Sequence, residues 1–404
     1  MPKQSIAAAN VQNQRALIRV DFNVPLDAGK ITDDRRIRAA IPTIQSVLGR
    51  GGSVILLSHL GRPEGKGFES EFTLRPVADR LAQLLGRPVQ FPSHDATDAA
   101  AEAAATNAQP GDVVLLENVR FAKGEKKGES AYASKLAGYG DLYVNDAFGT
   151  AHREDGSMFA VPKAMKAAGK PAYAGLLLER ELKYLGDTLK TPAKPFVVVL
   201  GGAKVSDKIT LIENLLPRAS AILVGGAMAY TFLKALGRRV GASRVEESHL
   251  AHAMKMIDQA ANLKCDLFLP SDHVCGANFD ENGGGNIKVF KDNIDNGFMG
   301  LDIGPDTQST FTRVLRDAKT IVWNGPMGVF EWMPFRVGTQ QVAQAIVDAT
   351  AHGATSIVGG GDSAAAAEEF GLADKFSHVS TGGGASLEML AGHPFTTVDL
   401  LDNA

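Results

Sequence analysis

The sequence predicts two doubly wound α/β domains, each on a parallel sheet, and three observations carry that prediction. Five times in the second half a short apolar stretch runs into a glycine cluster: PFVVVL-GGAK, AILV-GGAM, TIVW-NGPMG, SIV-GGGDS and HVS-TGGGAS. Each reads as a buried parallel strand, a tight turn and the N-terminus of a crossover helix. The first half repeats the strands but ends them on side chains, in LIRVDFNVP, VILLSHLGRP, VVLLENVRF and LYVNDAFGTAHR. Finally, 404 residues exceed what one hydrophobic core usually serves, so two domains are the default.

Taken in order, the first strand ends on Asp21, Phe22 and Asn23, and DDRRIR with Arg36 follows it. The second ends on His59, Leu60, Gly61 and Arg62. The alanine-rich stretch from Asp98 to Asn107 reads as a helical surface segment. The next two strands bring Arg120 and Arg153 to their ends. In GLLLERELKYLGDTLKTPAKP, Leu178, Leu182, Leu185 and Leu189 recur at four-three-four spacing, an amphipathic helix that Pro192 and Pro195 end. Residues 176–190 therefore read as a hinge helix between a first domain, 1–175, and a second, 191–390. In the second domain Lys204 and Lys208, four apart after Gly201 and Gly202, are expected on one face of the helix that begins there. FDENGGGNIKVF reads as a loop before a strand.

A net charge of -3 argues against a general nucleic-acid or membrane surface. No apolar run approaches the ~20 residues needed to span a bilayer, and MPKQSIAAANVQNQR lacks a signal-peptide core, so a cytoplasmic protein is expected. Cys265 and Cys275 offer neither a disulfide framework nor metal-ligand spacing and read as small core residues. A dinucleotide-binding dehydrogenase fits poorly, because no G-x-G-x-x-G follows a strand with an acidic residue about 20 positions on. GGAKVSDK is not a Walker A loop either.

Parallel strands share one direction, so their ends gather along one sheet edge, where ligands of doubly wound folds bind. Bare backbone N–H groups and helix dipoles at the glycine turns of the second half favour a polyphosphate. The first half instead offers guanidinium forks, suited to a compact anion bearing phosphate and carboxylate, with Asp21 and Asn23 suited to a hydroxyl. Two ligands are thus expected. Local sequence leaves bland alternatives: Arg36 on a solvated helix face, His59 closing a strand end, a solvated lysine pair, and Asp362 as a helix N-cap.

RVDFNVP, SHLGRP, LLENVRF, NDAFGTAHR, GGAKVSDKI, WNGPMGVFE, GGGDS and TGGGAS run in register from Asp21 to Ser386, and in that order they resemble phosphoglycerate kinase. The resemblance implies two Rossmann-like domains joined by a hinge, with a C-terminal segment, 391–404, returning to the first. It implies reversible transfer of the acyl phosphate of 1,3-bisphosphoglycerate to MgADP, giving 3-phosphoglycerate and MgATP, directly and in line after the domains close. It assigns Asp21, Phe22, Asn23, Arg36, His59, Leu60, Gly61, Arg62, Arg120 and Arg153 to the triose site. Nucleotide contacts fall to Gly202, Lys204, Lys208, Gly225, Gly226, Asn324, Pro326, Glu331, Gly360, Gly361, Asp362 and Ser363. Asp362 would hold Mg²⁺. Arg36, Lys204, Lys208 and Gly383, the last in the turn Gly382–Gly384, would act on the phosphoryl group in flight. A monomer is expected, with no nucleic-acid or membrane partner. Many family members carry a second histidine two residues beyond Arg153, where this chain has Glu154 and Asp155; these acids are expected to weaken the local positive field. The WMPF segment from Trp332 departs from the commoner charged continuation.

An ATP hydrolase or a kinase of another small carboxylate would keep the second-half motifs but lack the arginine set. A non-catalytic binding protein on the same scaffold would have lost Lys204, Asp362 or Arg36.

Overall fold

The computed structural model describes residues 2–404, which separate into two compact units: the chain up to Lys183 together with Pro394–Ala404, and Tyr184–His393.

The first unit holds a five-stranded parallel sheet in the order Val113–Leu115, Ser53–Leu57, Arg15–Val20, Leu142–Asp146, Ala172–Ala174. The apolar runs predict strands buried on both faces, and they are so. Ala16, Ile18 and Val20 join a core with Ile37, Ile44 and Val47 of the helix Arg35–Leu48 and Val77 and Leu81 of Arg75–Leu85. Leu17 and Arg19, on the opposite face, are equally buried. Arg19 pairs in register with Leu57 and with Asn145, so Asp21, His59 and Asp146 emerge at one edge. The alanine-rich segment is the helix Ala99–Thr106; Asp98 caps it, accepting from the Ala101 amide at 2.8 Å, and Ala101 and Ala105 face inward. The C-terminal residues pack within this unit, where the Asp402 carboxylate accepts from the Ala172 amide and pairs with Lys166.

From Leu176 to Lys190 the chain is helical, α over Leu176–Glu181 and Thr188–Lys190 and π-wound over Leu182–Asp187, with Leu178, Leu185 and Leu189 buried. At its start the Asp146 carboxyl accepts from the Leu177 and Leu178 amides.

The second unit contains a six-stranded parallel sheet, ordered Asp266–Phe268, Ala221–Val224, Phe196–Leu200, Thr320–Asn324, Thr355–Val358, His378–Val379. All five strands read from the glycine-punctuated runs are present. The edge strand Asp266–Phe268 was not anticipated; three residues carry no period. A second, antiparallel sheet joins Asp272–Gly276 to Ile287–Lys291 and Met299–Ile303, and Ile287–Lys291 is the strand expected after FDENGGG. One turn differs from expectation. After Asn324 no crossover helix starts until Val337, because the intervening segment folds back across the sheet end. Its Pro326 and Met327 carbonyls accept from Gly202 and Gly226, and its Met327 amide donates to the Thr339 hydroxyl.

Cys265 and Cys275 are free and buried, and burial pushes their thiols up to about 11 and about 12. Among the described residues no helix is long and apolar enough to cross a membrane.

Candidate active site

In the first unit the strand ends converge on a cluster of guanidinium groups around two acids. Arg36, in the first turn of its helix, donates from Nη1 to Asp21 Oδ2 at 3.0 Å and to the Asn23 carbonyl at 3.2 Å. This is a site-facing pose, not that of a solvated helix face. The Asn23 side-chain oxygen accepts from the Gly61 amide at 2.8 Å, and the Gly61 carbonyl accepts from Arg120 at 3.1 Å. Gly61 sits at φ +62 with a Cβ position only 2.3 Å from the Phe72 ring, so any side chain here would be strained and would displace that ring. Phe22 and Leu60 are buried beneath it, the Phe22 amide bonded to Ser58 Oγ. Arg62 and Arg153 are exposed, and Arg153 donates to His152 Nε2.

His59 is buried, its Nδ1 3.3 Å from Arg19 and 3.8 Å from Asp21. Burial first, then the guanidiniums of Arg19, Arg120, Arg36 and Arg153, hold it well below the ordinary histidine range. His59 is therefore a neutral hydrogen-bonding group and adds no charge to the cluster. Burial also lowers the Arg120 pKa, with Asp155 opposing. Of the two acids beyond Arg153, only Asp155 enters this field. Glu154 turns away, its carboxylate accepting from the Thr396 hydroxyl at 2.7 Å.

In the second unit three turns interlock at the carboxyl end of the sheet. A Cβ on Gly201 would lie 2.0 Å from the Pro326 carbonyl oxygen, and one on Gly226, at φ +65, would strike the Gly202 backbone. Such close approach is what the paired glycines permit. Gly225 packs against the Met327 sulfur. Asn324, fully buried, bonds the Gly359 carbonyl with its amide and receives Lys208 Nζ on its oxygen. Burial lowers the Lys208 ammonium to about 8, with Asp207 and Asp362 pulling the other way. The expected pair on one helical face is not formed. Lys204 lies in an irregular turn, Lys208 ends a 3₁₀ turn over Ser206–Lys208 whose Ser206 amide and hydroxyl donate to Glu246, and the α-helix begins only at Ile209. Lys204 is exposed.

Gly360, at φ +94, is the N-cap of the helix Gly361–Glu369, and Asp362 sits exposed in its first turn without serving as the cap. The N-cap alternative for Asp362 is thereby removed. Ser363 is fully buried and accepts from the Gly325 amide at 2.6 Å, so it braces the turn from behind. Gly383, at φ +51, precedes the helix Gly384–Leu390.

A cavity of about 440 Å³ opens beside these turns. Gly202, Gly226, Pro326, Glu331 and Asp362 line it, with Tyr230, Leu301, Val329 and Phe279 making most of the apolar wall. Its size and its apolar walls suit a planar base. Phe279 also meets Trp332 of the WMPF segment, ring centroids 4.7 Å apart. Sequence reasoning missed these walls, since single apolar residues have no signature. It also missed Arg19, whose only signal was a charge inside a strand otherwise apolar, and Ser58 and Asn118 that hold the loops.

Among the described residues no three His, Cys, Asp or Glu side chains are grouped to hold a metal ion. Asp362 shares the cavity wall with the carboxyl groups of Glu331 and Asp302.

The family model described as Phosphoglycerate kinase matches residues 6–393. A relative from Rhodopirellula baltica named "Phosphoglycerate kinase" is 53% identical over 406 residues, covering all of both chains. One from Trypanosoma congolense named "Phosphoglycerate kinase, cytosolic" is 48% identical, over 99% of this chain and 98% of the relative. The solved structure of phosphoglycerate kinase from Coxiella burnetii superposes with a TM-score of 0.89 at 41% identity, over 99% of this chain and 98% of that one.

Proposed function

The chain belongs to the phosphoglycerate kinase family and, as a kinase with a carboxyl acceptor in glycolysis, exchanges a phosphoryl group between 1,3-bisphosphoglycerate and ADP; from that premise we propose how its two sites divide the chemistry. Arg36, Arg62, Arg120 and Arg153 bind the phosphate and carboxylate of the triose, and Asp21 and Asn23 receive its hydroxyl. His59 contributes an uncharged contact. The nucleotide base lies in the cavity between Tyr230, Leu301 and Val329, with Glu331 accepting from the ribose. Lys208, Lys204 and the amides at Gly360, Gly361 and Gly383 receive the phosphates, and Gly202, its own amide bonded to the Pro326 carbonyl, lines the approach without a side chain.

Asp362 fits a magnesium ion, since it is exposed, spent on no cap and beside the phosphate turns, and Mg²⁺ is commonly held by one or two carboxylates plus substrate phosphates. Bound there with the nucleotide, the ion would neutralise phosphate charge. In the ATP-consuming direction the nucleophile is a carboxylate, ionised at neutral pH with an ordinary pKa of about 4, so no general base is required. Alignment and charge neutralisation then supply the rate enhancement, Arg36 acting on the bound triose and Lys204 and Lys208 on the nucleotide phosphates. The protein acts as a cytoplasmic monomer on small molecules. The relative named cytosolic supports the location, and the charge of -3 the absence of a general nucleic-acid surface.

The observation that carries the reading is segregation: the arginine cluster belongs to one unit, the glycine turns, Lys208 and Asp362 to the other. Calorimetric titration tests it. Arg36→Ala should weaken 3-phosphoglycerate binding at least about tenfold, the scale of a lost charge-assisted contact, and leave MgADP binding unchanged. Unaltered 3-phosphoglycerate affinity would overturn the triose assignment.

A further inference from the structure

Arg120 is 6% exposed, and its guanidinium is divided between two acceptors: Nη1 donates to the Gly61 carbonyl and Nη2 to Asp155 Oδ2 at 3.2 Å. Its Nε is buried without a hydrogen-bond partner. The carboxylate is delivered by a braced turn. The Asp155 carbonyl accepts from the Met158 and Phe159 amides at 3.0 and 2.9 Å. Gly156 is wedged against Glu125, a Cβ there coming within 3.2 Å of two carbonyl oxygens, and the buried Ser157 bonds the Glu125 carboxylate with both amide and hydroxyl. Among its charged neighbours Arg120 has Arg19 and Arg153 of like sign and Asp155 of opposite sign. Asp155 is thus a fixed counter-ion on the most buried guanidinium reaching the triose cluster's Gly61 junction.

We infer that Asp155 is a specificity-determining residue that competes with incoming anions for Arg120. The inference rests on the reading of Arg120 as part of the triose site. A buried cation needs a partner, and here the protein supplies one before any ligand arrives. An anion approaching Arg120 must share that fork with a carboxylate of its own sign, which is repulsive. A small anion with no other handle, such as sulfate or inorganic phosphate, loses most. A phosphorylated hydroxy acid recovers the loss through Arg36 and Asn23, so discrimination comes from a repulsive element.

Asp155→Asn tests this, since the amide oxygen still accepts from Arg120 while the charge is gone. The sulfate concentration that half-inhibits turnover should fall about tenfold and the KM for 3-phosphoglycerate by a smaller factor, about threefold, with kcat not increased. Glu154→Gln removes the same charge one residue away, where the side chain bonds Thr396, and should leave both values within about twofold. Asp155→Ser is the second variant and should shift sulfate inhibition in the same direction. Parent-like or higher values in either Asp155 variant, with the parent's melting temperature, overturn the inference. An Arg120→Ala enzyme with the parent's KM for 3-phosphoglycerate would instead overturn the site reading and the inference with it.

Discussion

Lys208 is where burial and charge disagree most usefully. Its ammonium is pushed down from 10.5 to about 8 by desolvation, yet phosphate binding requires the protonated form. Nucleotide phosphates drawn to it favour that form, so ADP affinity should decline as pH rises past about 8, and binding near pH 8.5 should take up protons. Calorimetry in buffers of different ionisation heats measures the uptake, which Lys208→Met should abolish; a parent enzyme without uptake contradicts the assignment. The sign for stability is opposite. The unfolded lysine holds its proton up to about 10.5, so between about 8 and 10.5 the unfolded chain binds more protons, and the ligand-free protein gains stability as pH rises. Single residues were unequally legible. His59 and Arg120 could be named because strand ends of a parallel sheet gather, whereas Arg36, in the first turn of a helix, could be named only through the family resemblance. The lowered pKa of His59 could not, since it depends first on burial and then on four guanidiniums brought together from four separate segments.

At the scale of elements, runs such as FVVVL and TIVWN read as strands because both faces of a parallel sheet are buried. Their glycines read as turns because backbones cross there. Where helices begin was harder to read. Lys204 and Lys208 have helical spacing, but the α-helix begins only at Ile209 after a 3₁₀ turn whose Ser206 is held by Glu246, 40 residues on, a contact invisible in the local pattern. The helix opening at Gly361 supplies a sharp test. Asp362 lies in its first turn, two residues past the N-cap Gly360, so Asp362→Asn should change stability by less than about 1 kcal/mol. It should nevertheless weaken magnesium-dependent ADP binding. A variant with unchanged MgADP affinity by calorimetry would remove Asp362 from the metal.

For the whole molecule, neither unit carries both sets of groups. Direct transfer requires the two ligands to be brought together with water excluded. We therefore expect 3-phosphoglycerate and nucleotide together to compact the protein more than either alone, and small-angle scattering on free, singly and doubly liganded samples measures it. An unchanged radius of gyration in an active, doubly liganded sample would count against closure. We propose the helical segment 176–190 and the prolines after it as the hinge of that closure. The central claim, that charge at the phosphate turns acts on a phosphoryl group passing to a bound triose, is tested most directly by steady-state turnover of 3-phosphoglycerate with MgATP in the parent and in Lys204→Ala. The account predicts ADP formation that depends on 3-phosphoglycerate, and a kcat about 10²–10³ lower in the variant with little change in 3-phosphoglycerate binding. ADP released without 3-phosphoglycerate, or comparable turnover in the two proteins, would contradict it.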